Sequence, residues 1–235
     1  MTNAEVIQRV QSLYSRGVQS DDARLAERHI FSKLITARSK LIGQKVNKRQ
    51  KMSQWIYQTL PCVKMIEAPV HECPCLPPLG CKIMRSDVPL PDPVTDMNRH
   101  MIQSVTSIDG SIIYSEVTWK EKQYKKGARY TAVKPDFFIR NNYLYITYKD
   151  GPELIAVTAL FEDPLAADIF PSYCDDPECV TCLDCESYFD KEFIADLDMI
   201  EVIVEMATQE LVNLFSQIPE DRTNDGKDTE EQRLK

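Results

Sequence analysis

Residues 104–119 read SVTSIDGSIIYSEVTW, and this stretch decides the fold. Two β-prone runs, SVTSI and SIIYSEVTW, flank Asp109-Gly110, a pair that suits a two-residue type I′ turn because glycine tolerates positive φ. Further runs at Phe137–Arg140, Tyr143–Tyr148 and Leu154–Phe161, punctuated by Asn141-Asn142 and Asp150-Gly151, extend the hairpin into a meander. An antiparallel sheet or small barrel is expected. Upstream, Pro61 to Pro93 holds eight of the fourteen prolines. That density excludes a long helix or a central strand throughout and predicts short strands and extended loop.

Outside this region the apolar period is helical. Thr2-Asn3-Ala4-Glu5 has capping-box spacing, and Val6, Ile7, Val10, Leu13 and Tyr14 follow on one face as far as Gly17. Ile30, Leu34, Ala37 and Leu41, flanked by Phe31, Ile35 and Ile42, mark a longer helix from about Ala26 to about Gln50. Asp198-x-x-Glu201 opens a third, with Met199, Val202, Ile203, Met206, Leu211, Leu214 and Ile218 on one side and Pro219 stopping it. The expected fold class is α+β: a helical domain built from N- and C-terminal helices with an inserted antiparallel β sheet or small barrel. The expected divisions are residues 1–58 (N-terminal helical part), 59–165 (inserted β domain), 166–197 (Cys-rich loop), 198–218 (C-terminal helix) and 219–235 (flexible tail).

The net charge of −8, from 28 basic and 36 acidic residues, argues against a protein that simply coats nucleic acid. The start MTNAEVIQRV carries no targeting pattern, and no apolar run approaches membrane-spanning length, so cytosolic synthesis is expected. Phosphate-cradling loops, a nucleophile elbow and an H-E-x-x-H pair are all missing, and glycines number seven. His29, His71 and His100 stand far apart and read as surface or packing histidines. No catalytic residue is assigned, and the chain reads as a non-enzyme.

Chemistry concentrates in Cys174-x4-Cys179-x2-Cys182-x2-Cys185. Four thiolates this close could wrap one structural Zn²⁺. The neighbouring Asp175, Asp176, Glu178, Asp184 and Glu186 raise thiol pKa values, which equally fits free thiols or disulfides. A second group, His71, Cys73, Cys75 and Cys81, fits a loop pinned by one disulfide as well as it fits a metal.

Charge is segregated. Arg28, Lys33, Arg38, Lys40, Lys45, Lys48, Arg49, Lys51 and Lys64 fall between Arg28 and Ile66 with no acid among them, whereas acids dominate from Asp168 to Glu231. The series from Arg28 to Lys51 is therefore assigned to a DNA- or partner-facing surface, against the alternative of a solvated face. Residues 220–235 contain a single aliphatic residue, Leu234, too little to offset ordering entropy. Pro219, Arg222, Lys227, Arg233 and Lys235 are assigned to a tail that orders on docking.

Four segments carry a resemblance: MTNAEVIQRVQSLYSRGVQSDDARL at 1–25, SQWIYQTLPCVKMIEAPVHECPCLPPLGC at 53–81, IQSVTSIDGSIIYSE at 102–116 and PDFFIRNNYLYIT at 135–147. Together they resemble a virion structural protein of the crAss-like bacteriophages, similar in role to head-to-tail adaptor and tail-barrel ring subunits. The resemblance implies a dodecameric homo-oligomeric ring in the portal-to-tail connector, joining head and tail and lining the DNA passage. Its implied partners are the phage portal protein, gripped by the C-terminal tail, adjacent tail-barrel ring proteins, and passing double-stranded DNA held nonspecifically; no membrane is involved. The implied location is the virion, at the head-tail junction or tail barrel, after assembly in the bacterial host cytoplasm. No cofactor is required, although structural Zn²⁺ is accommodated. The competing class is a zinc-containing DNA-binding regulatory protein, favoured by the cysteines and basic helix and opposed by the overall acidity.

Overall fold

A hairpin forms around Asp109-Gly110, but with a different turn from the expected one. Strand β5 (Ile102–Ser107) pairs antiparallel with β6 (Ile113–Glu116), Val105 opposite Tyr114 and Thr106 opposite Ile113. The loop is longer than two residues: the Gly110 N–H donates to the Ser107 carbonyl at 2.9 Å, and the Ser107 N–H donates to the Ile112 carbonyl at 2.9 Å. A type I′ turn needs positive φ at both central residues. Here Gly110 alone has it, at 69°. Asp109 instead turns its carboxylate onto the Ser107 hydroxyl and the Ser111 N–H, which an Asx-type turn does in place of a left-handed backbone. The tight turn lies at Asn141 and Asn142, with φ of 52° and 62°, joining β7 (Asp136–Arg140) to β8 (Tyr143–Thr147).

The computed structural model describes residues 1–15, 25–69, 83–96, 99–118, 121, 134–147, 151–174 and 187–216. They fall into two compact units. One comprises Met1–Leu41, Phe189–Phe193 and Leu197–Lys235, described as far as Ser216; the other comprises Ile42–Tyr188 and Ile194–Asp196.

In the second unit, β1 (Gln58–Glu67), β2 (Ile83–Ser86) and β9 (Leu154–Ala159) join the four strands above in a closed barrel of order β1-β2-β8-β7-β6-β5-β9. Its neighbours pair antiparallel except β6 and β7, which run parallel. A wholly antiparallel meander therefore needs correcting here. A parallel pair requires a crossover of a dozen or more residues, and residues 117–135 supply one. A two-residue hairpin, β3 (Thr95–Asp96) with β4 (Arg99–His100), stands apart from the barrel sheet.

The proline-rich region begins with a strand of ten residues rather than a short one. Pro61 is accommodated because the β1–β9 register slips there: Leu60 faces Val157, Val63 faces Ile155, and Pro61 and Cys62 share Ala156's position. A bulge is where a ladder tolerates a missing N–H. It also resets the side-chain phase. Leu60 is an even position and Val63 and Met65 are odd, yet all three are buried in the barrel core with Val105, Leu144, Ile146, Ile155 and Val157. Without the extra residue one set would face outward.

In the first unit, α1 (Asn3–Tyr14) starts with the expected capping box: the Glu5 N–H donates to Thr2 Oγ1 and the Thr2 N–H to the Glu5 carboxylate. The remaining orphan donors of its first turn find main-chain acceptors. Asn3 N–H reaches the Lys191 carbonyl at 2.9 Å and Ala4 N–H the Phe189 carbonyl at 3.0 Å. Val6, Ile7 and Val10 are buried, each contributing roughly 1.5–3 kcal/mol. Leu13, expected on that face, is 55% exposed. Helix α2 is Glu27–Asn47; α3 (Pro164–Asp168), unforeseen, is short and capped by Asp163; α4 is Leu197–Ser216. The buried face of α4 is Met199, Ile200, Ile203, Val204, Ala207 and Leu211, while Val202 and Leu214, expected with them, are 41% and 47% exposed.

Candidate assembly surfaces

The basic series from Arg28 to Lys51 does not form one face. Arg38 is fully buried, so its assignment to a DNA- or partner-facing surface is corrected. Its helical position gives the reason: four residues after Leu34 and four before Ile42 lies the apolar stripe of α2. Lys33 and Lys40, two turns apart, both turn to Glu210 of α4 in the same unit, Lys33 Nζ at 3.7 Å and Lys40 Nζ in direct hydrogen bond. The Lys40 hydrogen bond is the largest effect and holds the Glu210 carboxyl below the usual range; burial opposes it, and the charges of Lys40 and Lys33 add to the lowering. Arg28, Lys48, Arg49 and Lys51 are exposed, and Lys45 is half-buried.

The end of α2 presents the exposed bases. The Gln50 N–H donates to the Lys45 carbonyl at 3.0 Å and the Arg49 N–H to the Val46 carbonyl at 2.9 Å, the paired bonds of a Schellman motif. Arg49 occupies the left-handed position, φ 53°, where glycine usually sits. A single 3₁₀ turn, Gln54–Ile56, follows. Ser53 Oγ caps it by accepting the Trp55 N–H at 3.4 Å, and Ile56 is fully buried. Trp55 between them is 88% exposed. Charge-based reading passes over Trp55; its signal is a tryptophan set two positions after a capping serine in an acid-free run.

Helix α4 carries the opposite sign. Over LDMIEVIVEMATQELVNLFS there is no Lys or Arg. Asp198, Val202, Glu205, Gln209 and Val212 recur at steps of four and three, all exposed, so they share a face. Glu201 pairs with Arg9 of α1.

Cys174 is joined to Cys62 by a disulfide with the Cα atoms 5.5 Å apart. In this form Cys174 offers no thiolate to a zinc ion. The bond fastens the segment after α3 across β1 at its bulge. Other contacts reinforce it: the Tyr173 N–H donates to the Cys62 carbonyl at 3.2 Å, the Tyr173 hydroxyl donates to Asp87 at 3.3 Å, and Lys64 Nζ stands 5.3 Å from the Tyr173 ring centroid. Desolvation and then the Asp87 charge push the Tyr173 hydroxyl pKa up. Gln58 adds hydrogen bonds to the Pro164 carbonyl and the Asp168 carboxylate, both at 3.0 Å. Cys179, Cys182 and Cys185, the group His71, Cys73, Cys75 and Cys81, and the tail residues Pro219, Arg222, Lys227, Arg233 and Lys235 lie outside the described residues. Among the described residues no cluster of three or more His, Cys, Asp or Glu is placed to hold a metal ion.

His29 is exposed on α2 and His100 half-buried on β4. Near His100, burial raises the Glu116 carboxyl pKa, with His100 and Arg99 opposing. Among the described residues no helix is long and apolar enough to cross a membrane.

A family model described as phage tail ring protein 2 matches residues 5–231. No curated protein matches the chain.

Proposed function

From the premise that this chain belongs to the phage tail ring protein 2 family of the crAss-like phages, we propose that it works as a non-enzymatic subunit of the portal-to-tail connector. It is a bacteriophage virion protein of the tail ring class. Many copies close into a homo-oligomeric ring, a dodecamer matched to the portal above it, which joins head to tail and surrounds the DNA as it passes. The observation that carries this is a family match over nearly the whole chain, with a closed barrel inside the matched span.

In this reading the helices from both ends of the chain form a helical domain and the barrel is its insertion. Adjacent tail-barrel ring proteins stack on the ring, and the tail from Pro219 grips the portal. Assembly takes place in the host cytoplasm. A map of the intact virion tests the proposal through ring count and ring order. Density for this chain outside the connector and tail, or as isolated copies, overturns it.

Zinc remains the alternative chemistry for the cysteine loop, and it requires Cys174 reduced. Elemental analysis of protein purified under strong reductant is expected to give about one zinc per chain if Cys174, Cys179, Cys182 and Cys185 are its ligands. Metal well below that leaves the Cys62–Cys174 disulfide as the fate of Cys174.

A further inference from the structure

We propose that neighbouring copies in the ring meet head to tail, with Trp55 and the bases Lys48, Arg49 and Lys51 of one copy seated on the acidic outer face of the next copy's α4. The proposal rests on the ring reading above and names the surfaces that would build the ring.

A ring generated by rotation needs two different patches that complement one another. The described chain offers such a pair. One patch is positive: residues 48–55 hold three bases, Lys48, Arg49 and Lys51, beside one acid, Asp196, whose carboxylate accepts the Ser53 N–H at 3.4 Å. The other is negative: α4 holds Asp198 and Glu205 on its exposed side with no Lys or Arg along its length, while its Glu201 is paired with Arg9 of α1. Like patches repel, so contact of either patch with its own copy is disfavoured and contact between the two unlike patches is favoured; the ring reading supplies the rotation that makes this contact head to tail.

Both patches carry apolar surface suited to contact. Trp55 is 88% exposed on a turn fixed by the Ser53 cap and the buried Ile56, so little freedom is lost when it docks. Tryptophan is among the residues most enriched at interface centres. On α4, Val202 and Val212 are 41% and 44% exposed, on the side away from the buried Met199–Leu211 face. Arg49 supplies an independent sign. A non-glycine residue held at φ 53° on an open surface is a local strain, and such strain persists where the side chain has a use.

The test uses the full chain and four variants: Trp55→Ala, Lys51→Glu, Glu205→Lys and the charge swap Lys51→Glu with Glu205→Lys. Light scattering against concentration and electron microscopy read ring formation, while circular dichroism and thermal melting verify folding. Trp55→Ala and Lys51→Glu are expected to raise the concentration for ring formation by about tenfold or more with unchanged melting, and the swap to recover most of that loss. Rings that persist in all three single variants at wild-type concentrations overturn these surfaces and leave the ring reading intact. Variants that form normal rings but fail to hold a neighbouring ring assign the patch to a different subunit, which also overturns the proposal. A wild-type chain that contacts no second copy in solution or in a virion map overturns both readings.

Discussion

Arg38, inside α2, and Arg49, just past its end, have opposite fates. At Arg49 the left-handed backbone places a β-carbon where L-residues are disfavoured by about 1–2 kcal/mol. Replacing Arg49 by glycine is therefore expected to stabilise the isolated chain by about 0.5–1 kcal/mol, read as a higher urea midpoint, while weakening assembly. Equal or lower stability in that variant would contradict the strain argument. Arg38 is fully buried, so Arg38→Glu places an opposite charge in a site built for a guanidinium. That substitution is expected to destabilise the fold by about 3–5 kcal/mol, measured by denaturant unfolding. A fold unchanged within about 0.5 kcal/mol would show that the side chain reaches water. Position could have separated these two residues in the sequence, since Arg38 keeps the spacing of Ile30 and Leu34, whereas Arg49 lies past the stripe's end.

Among the elements, the strap from α3 to Cys174 and the helix pair at Glu210 each rest on a few named groups. The Cys62–Cys174 bond spans 112 residues, and a cross-link of that length limits the unfolded chain strongly. Changing both cysteines to serine is expected to lower stability by about 2–5 kcal/mol. A melting temperature equal to wild type under non-reducing conditions would indicate that the bond does not form in solution.

Glu210's folded pKa is depressed, first by its hydrogen bond to Lys40. Stability from such a group is fully present above its unfolded pKa and disappears as pH falls through the lower folded value. Glu210→Gln is thus expected to lose about 0.2–1 kcal/mol near neutral pH, the modest worth of a largely solvated pair. The gap between the two proteins should persist down to about pH 4 and close only in more acidic solution.

The start of α1 was legible because Thr2 and Glu5 satisfy specific N–H groups, a local matter; at α4 the helix begins at Leu197, before the expected cap Asp198, and Glu201 pairs with Arg9. The turn at Asp109 was not, because the Ser107 and Ser111 contacts offered its carboxylate an alternative to positive φ. The β1 bulge is visible in retrospect as the change from even to odd core positions across Pro61-Cys62. Cys62 was missed as Cys174's partner because a disulfide follows three-dimensional proximity rather than spacing.

For the whole molecule, the most informative perturbation is removal of the end of the chain. Residues 220–235 alternate acids with Arg222, Lys227, Arg233 and Lys235 and hold one aliphatic side chain, Leu234. That composition has donors and acceptors for a charged partner. Ordering costs about 1–2 kcal/mol per residue in backbone entropy, so a single tail binds weakly. A ring changes this, because once one tail is held its neighbours bind at high effective concentration. In the proposed reading the head-to-tail surfaces and the tail divide the work, the first closing the ring and the second fixing it to the portal. Truncation after Ile218 is expected to leave ring formation and melting temperature unchanged, since it removes nothing of α4, which ends at Ser216, while incorporation into heads fails. Purified truncated rings mixed with portal, followed by sedimentation, read the binding directly. Wild-type co-sedimentation, or infectious particles at wild-type yield, would mean that the tail only solvates the ring and that portal attachment lies within residues 1–218.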